Sequence, residues 1–262
     1  MNTFIQDYGW FLVFWGTLIL FGALEYLAPE LPGDPSRRPR WFVNVGLGIV
    51  NGLIASSLPV LTIASAQWAA THQFGLLNWL AAPLLVALPV TILGRTFAQY
   101  AFHVLSHKIP LLWRLHRVHH CDEHLDATST LRNHPLELIA SGIFVGAIVT
   151  ISGLSPAVLI AYESIEALLN LLAHANIRLT PAIERVARAV FFITPAVHRI
   201  HHSARQEETD SNYGAVFSFW DRVFGTYRDK AAESGTFRFG LNEIDRERAQ
   251  SLEAQLALPW RP

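Results

Sequence analysis

Cysteine is almost absent from this chain of 262 residues: Cys121 stands alone. No disulfide can form within the chain, and no thiolate cluster can hold a metal. Charge is scarce as well. Only 16% of residues are charged, low for a soluble domain, and the net charge is −1. With no basic excess there is no case for a nucleic-acid partner. Some catalytic signatures are also missing. The chain has no G-x-S-x-G elbow for a serine hydrolase, no H-x-x-x-x-D acyltransferase motif and no HPGG haem-binding element.

Apolar residues and histidine fill the space. Half of the chain is apolar, and runs 8–28, 42–64 and 77–94 have the length of membrane spans. The third is expected to continue as helix through His107, with kinks at Pro83 and Pro89. Runs 136–153 and 156–173 fit two short spans or a hairpin dipping into the bilayer. The first run is too long for a signal-peptide core and lacks a charged leader, so cleavage is not expected. Segments 1–7, 65–76 and 153–156 contain no Lys or Arg. The positive-inside rule therefore places them outside and every histidine cluster on the cytosolic face. Residues 108–135 read as an interfacial segment, and residues 231–257 as a polar tail with a short helix.

Twelve histidines are present, seven of them between His103 and His134. His103 and His107 form H-x-x-x-H. His116, His119 and His120 form H-x-x-H-H, and His198, His201 and His202 repeat it. Residues three and four apart share a helix face, so each set can aim imidazoles at one centre. A histidine-rich interfacial belt would not explain the repeated spacing. Eight to ten such nitrogens overfill one octahedral ion, so a dimetal centre is expected. Imidazole alone does not choose among iron, zinc and copper.

Glu163, Glu166, Asn170 and His174 also share one helical face. Carboxylates in an apolar run are costly and often functional. Asn170 and His174 fall at the metal end. Glu163 lies roughly 16 Å away along the helix, as a substrate contact or as a pin between helices. His134, before Pro135, is either a ligand or a group supporting one.

At these residues the chain resembles the fatty acid hydroxylase/sterol desaturase superfamily, closer to its sterol-desaturase branch. The resemblance rests on HVLSH at 103–107, LHRVHH at 115–120, TLRNHPLE at 130–137, HRIHH at 198–202 and NYGAVFSFWDRVFGTYR at 212–228. It implies an all-α, polytopic membrane helical bundle with a cytosolic, histidine-rich dimetal site. Transmembrane helices would occupy 1–98, the catalytic domain 99–230 and a cytosolic tail 231–262. It also implies two iron ions, O2 as co-substrate, and hydroxylation or desaturation of a lipid from the bilayer. Electrons would come from a separate ferredoxin or cytochrome b5-like partner. The membrane would be the inner membrane of a bacterium or the endoplasmic reticulum of a eukaryote. The metal ligands it implies are His103, His107, His116, His119, His120, His174, His198, His201 and His202, with His134 as the open case. Glu166 and Asn170 are the expected catalytic neighbours, Asn170 falling where some members carry a further histidine. Val104 departs from the arginine common in the first box.

Two other readings remain at this point. His120, Glu123 and His124 spell H-x-x-E-H, an inverted zinc-peptidase signature. The histidines could also serve a non-catalytic metal or haem protein.

Overall fold

The computed structural model describes residues 3–32, 37–57, 61–232 and 238–261. The chain is mostly helical, with no strand among the described residues. Its helices are α1 (Thr3–Leu27), α2 (Arg37–Ser57), α3 (Leu61–Thr71), α4 (Leu76–Trp79), α5 (Leu84–Lys108), α6 (Pro110–His120), α7 (Pro135–Ser152), α8 (Pro156–His174), α9 (Pro181–Ala189), α10 (Pro195–His201), α11 (Gln206–Thr209), α12 (Phe219–Phe224), α13 (Arg246–Ala249) and α14 (Leu252–Ala257). Five of these, α6 to α10, open on proline. Proline is pre-set for a first turn, where no amide donor is needed. Thr180 and Thr194 cap α9 and α10 with their side chains.

Four helices have the length and hydropathy to cross a membrane: Trp10–Leu27 within α1, then α5, α7 and α8. Their outward faces stay apolar, with Ile19 71% and Leu85 90% exposed. A bilayer, not water, suits such a surface. Runs 136–153 and 156–173 are two separate helices. They are joined at Gly153, whose left-handed backbone (φ 65°) ends α7. Where α3 crosses α7, two glycines let the backbones meet. A Cβ at Gly142 would lie 2.7 Å from Leu61, and one at Gly146 2.8 Å from Ser65.

Two sequence expectations change. The span expected at 42–64 is not among these four: α2 covers Arg37–Ser57, residues 58–60 lie outside the described residues, and α3 covers Leu61–Thr71. The polar residues Arg37, Arg38, Arg40 and Asn44 keep α2 out of the four apolar helices. The run expected from 77 divides into α4 and α5, with Pro83 as the cap of α5 rather than a kink. Within residues 108–135, Lys108 to Leu111 and Arg114 are exposed, while Leu115 through His120 are all buried. Residues 241–258 also contribute to the interior. Ile244, Ala249 and Leu258 share a core with Val43, Leu47 and Val118. Arg117 ties this end down by donating to the carbonyls of Leu258 and Arg261, both at 2.7 Å.

Candidate metal centre

Four helix ends bring the histidines together. The last two turns of α5 supply His103 and His107. The chain turns through Ile109 and doubles back as α6, carrying His116, His119 and His120 beneath them. The last residue of α8 is His174, and α10 with its cap supplies His198, His201 and His202.

The nine rings form two groups. One holds His103, His107, His116, His120 and His201; the other holds His119, His174, His198 and His202. Within each group the ligand atoms lie within 4.8 Å of one another. The two H-x-x-H-H motifs are interleaved between them. On α6 the i, i+4 pair His116/His120 joins the first group and His119 the second. On α10 the pair His198/His202 joins the second and His201 the first. The rings of His120 and His202 stack across the divide, 4.8 Å apart.

Hydrogen bonds fix which nitrogen faces inward in five of the nine rings. Nδ1 of His103 donates to the Tyr213 carbonyl (2.7 Å), His119 to Arg132 (3.1 Å), His174 to Asn170 (2.8 Å) and His201 to Ser211 (2.7 Å). His116 Nδ1 donates to Glu137 Oε1 at 2.6 Å. A carbonyl can only accept, so in the neutral rings Nε2 keeps its lone pair. These lone pairs converge. Nε2 of His103 and His116 are 3.1 Å apart, and Nε2 of His174 and His119 are 3.3 Å apart. Two facing lone pairs repel unless a cation lies between them. Two nitrogens each about 2.1 Å from a shared ion stand at such a separation. Burial also pushes His119, His120, His198 and His202 well below the ordinary imidazole range, and His201 down to about 3. Neighbouring imidazoles push the same way. The rings are neutral, as ligands must be. His201 Nε2 is buried and takes no hydrogen bond among the described residues. An all-nitrogen donor set in two adjacent groups fits a pair of transition-metal ions.

The support reaches further out. Asp221, fully buried, accepts from the backbone N–H of Tyr213 (2.8 Å) and of Gly214 (2.9 Å), and so holds the carbonyl that orients His103. Arg132, also fully buried, holds the loop whose carbonyl orients His119. Its guanidinium donates to Val118, Asn44 and Ala249. Burial works to raise the Asp122 carboxyl, but Arg40 and Arg132 with the bonds from Ser129 and Asn44 hold it below the usual range.

A cavity of about 470 Å3 reaches the site from between α2, α3, α5, α7 and α8. It is lined by His103, His116, His119, His174 and His198, and by apolar side chains including Phe102 and Leu138. Asn170 and Glu163 line it too; Glu166 does not. The Glu166 carboxylate is held instead by Arg95 (2.8 Å) and by the Tyr162 hydroxyl (3.2 Å). It faces a cation, not the metal groups.

His134 is not brought to either group. Its Nδ1 accepts from the Leu136 N–H and its Nε2 donates to the Leu256 carbonyl, both at 3.1 Å, so it caps α7 and leaves no nitrogen for a metal. Glu123 and His124 also lie outside both groups, because α6 ends at His120 and the H-x-x-E-H stretch is not helical. Glu137, Arg95, Arg132 and Asp221 were not singled out as site residues in the sequence. Glu137 and Arg132 carried a signal, since they fall within the TLRNHPLE motif, and so did Asp221, within the 212–228 motif.

Residues 88–226, more than half of the chain, match the sequence profile of the fatty acid hydroxylase family. Human alkylglycerol monooxygenase is 31% identical over 153 residues, which are 57% of this chain and 32% of that protein. The ornithine lipid hydroxylase OlsE of Rhizobium tropici is 27% identical over 263 residues, 96% of this chain and 76% of its own. Human cholesterol 25-hydroxylase is 27% identical over 130 residues, 49% of this chain and 46% of its own. The chain thus spans about a third of the length of the alkylglycerol monooxygenases it matches. No solved structure matches.

Proposed function

Because the chain belongs to the fatty acid hydroxylase family, we propose that it is an integral membrane hydroxylase, or desaturase, acting on a C–H position of a lipid at a di-iron centre. The observation that carries this reading is the gathering of nine imidazoles into two adjacent groups, five of the rings lining a cavity bounded by apolar helices. Lipid hydroxylase relatives support the substrate class.

An unactivated C–H bond yields to no side-chain acid or base. When bound, two irons would supply the redox chemistry that lets O2, two electrons and two protons oxidise it: in hydroxylation one oxygen atom enters the lipid and the other leaves as water, and in desaturation both leave as water. The chain's own residues do the rest. Nine histidines would hold the metals, with Glu137 and the carbonyls of Arg132, Asn170, Ser211 and Tyr213 fixing the tautomers of five of them. Phe102, Leu138 and their neighbours keep the cavity dry and hold an acyl or ring chain near the histidines. Asn170 stands one helical turn from His174, where it can hold a water or a substrate oxygen beside the second group. We place the histidine face toward the cytosol, on the distribution of Lys and Arg, where a soluble ferredoxin or cytochrome b5-like protein would deliver electrons.

Purified protein should carry about two metals per chain. Lipid mass spectrometry of cells with and without the gene should show a gain of one oxygen or a loss of two hydrogens in one lipid class. A reproducible single metal, or an unchanged lipid profile in cells that make the protein with its electron donor, would rule this reading out.

A further inference from the structure

We propose that Glu163 and Gln99, set by Arg95, form a station in the cavity that binds a hydrogen-bond-donating group of the substrate, a hydroxyl or an amine. The proposal rests on the function given above and names the chemistry of the molecule that function would act on.

Arg95 on α5 joins α8 at two points. Its Nε donates to Glu163 Oε1 at 3.0 Å and its Nη2 to Glu166 Oε2 at 2.8 Å, while Nη1 reaches Gln99 Oε1 at 3.4 Å. One carboxylate would suffice to pin the two helices, and Glu166 supplies it. It is buried, its oxygens are taken by Arg95 and Tyr162, and it lies off the cavity. Glu163 differs. It lines the cavity, and among the described residues its Oε2 takes no hydrogen bond. Gln99 also lines the cavity, and its Nε2 donors have no partner among the described residues. An acceptor and a donor therefore face the same space, inside an apolar helix bundle where unmet hydrogen-bonding capacity is costly.

Charge selects what meets them. One guanidinium stands against two carboxylates, so the station carries an excess of negative charge when both are ionised. A free carboxylate is repelled there. A hydroxyl can donate to Glu163 Oε2 while accepting from Gln99 Nε2, and an ammonium can donate to Glu163. Glu163 and His174 are eleven residues apart on α8, roughly 16 Å along its axis. The substrate class is an amphiphile whose hydroxyl or amine lies about that distance from the carbon to be oxidised.

Equilibrium binding of labelled hexadecanol, hexadecylamine and hexadecanoic acid to the purified, metal-loaded protein tests this without turnover. The alcohol or the amine should bind about tenfold tighter than the acid, as one charge-assisted hydrogen bond allows, and the tighter of the two names the group. Glu163→Leu should abolish the preference. Glu163→Gln should keep the alcohol and lose the amine, because an uncharged acceptor remains. If Glu163→Leu does not fold, Gln99→Leu reads the same site and should weaken the alcohol more than the amine. Equal ratios in the wild type and in Glu163→Leu or Gln99→Leu, or tightest binding of the acid, would overturn the station. A protein that shows the preference but oxidises no lipid keeps the station and loses the function. One that oxidises the same lipids with and without Glu163 keeps the function and loses the station.

Discussion

His116 Nδ1 donates to Glu137 Oε1 across 2.6 Å, and both side chains are buried. Glu137 belongs to the first turn of α7, where a carboxylate also meets the positive end of the helix dipole. A carboxylate on the outer nitrogen of a ligating ring fixes its tautomer and raises its basicity. Glu137→Ala should lower metal affinity by about 10- to 100-fold, and Glu137→Gln by less. Chelator competition on the purified protein measures both. Equal affinity in Glu137→Ala and wild type would mean that His116 holds no ion.

Asp221 acts one step further away. Removing its carboxylate in Asp221→Ala frees the N–H groups of Tyr213 and Gly214, and with them the Tyr213 carbonyl that orients His103. His103 serves only the first group. Asp221→Ala should therefore take metal content from about two ions toward about one. Elemental analysis reads this directly, and an even loss from both groups would instead indicate general unfolding.

Acid should empty the site, and the sign follows from burial. His119, His120, His198, His201 and His202 all sit below their ordinary value of 6.5 when folded. Between the folded and ordinary values the unfolded chain binds more protons than the folded one, so stability rises with pH there. It is complete above 6.5 and falls as pH drops below that value toward the folded ones, about 3 for His201. Metal content after dialysis and the thermal midpoint should both hold from about pH 8 to about pH 7 and fall by about pH 5. A site whose metal content and thermal midpoint are both unchanged at about pH 5 would contradict the burial of these rings.

Much of this was legible in the sequence because histidine spacing maps directly onto helix faces. The three boxes, His174 and the helix carrying Glu163 to Asn170 all stand where periodicity puts them. His134 stayed open because its motif neighbours are ligand-like, whereas the carbonyl that takes up its Nε2 comes from Leu256, far away in the chain. Arg95 was hidden for a similar reason. A lone arginine in an apolar run gains meaning only when α5 and α8 are side by side and two carboxylates face it. The run at 42–64 was misjudged because hydropathy counts Phe42 to Leu47 as lipid-facing. Val43, Asn44 and Leu47 are fully buried against the site's supports instead.

The interleaving of the two boxes gives the sharpest test. His119 and His120 are chain neighbours, yet their rings are nearly perpendicular, at 87°, and serve different groups. If spacing alone decided, removing either would damage one shared centre equally. In the arrangement seen here, His120→Ala weakens the group of five and His119→Ala the group of four. The smaller group has less to spare, so His119→Ala should lose its ion completely while His120→Ala retains part of the other. Each single variant should keep the untouched ion, and the double variant should fall to well under half of the wild-type content. His202→Ala should resemble His119→Ala, and His201→Ala should resemble His120→Ala, although each pair is spread over two helices. Metal content and the optical or Mössbauer signature of iron-loaded protein would sort the four variants. Sorting by helix, with His119 and His120 alike, would overturn the two-group arrangement.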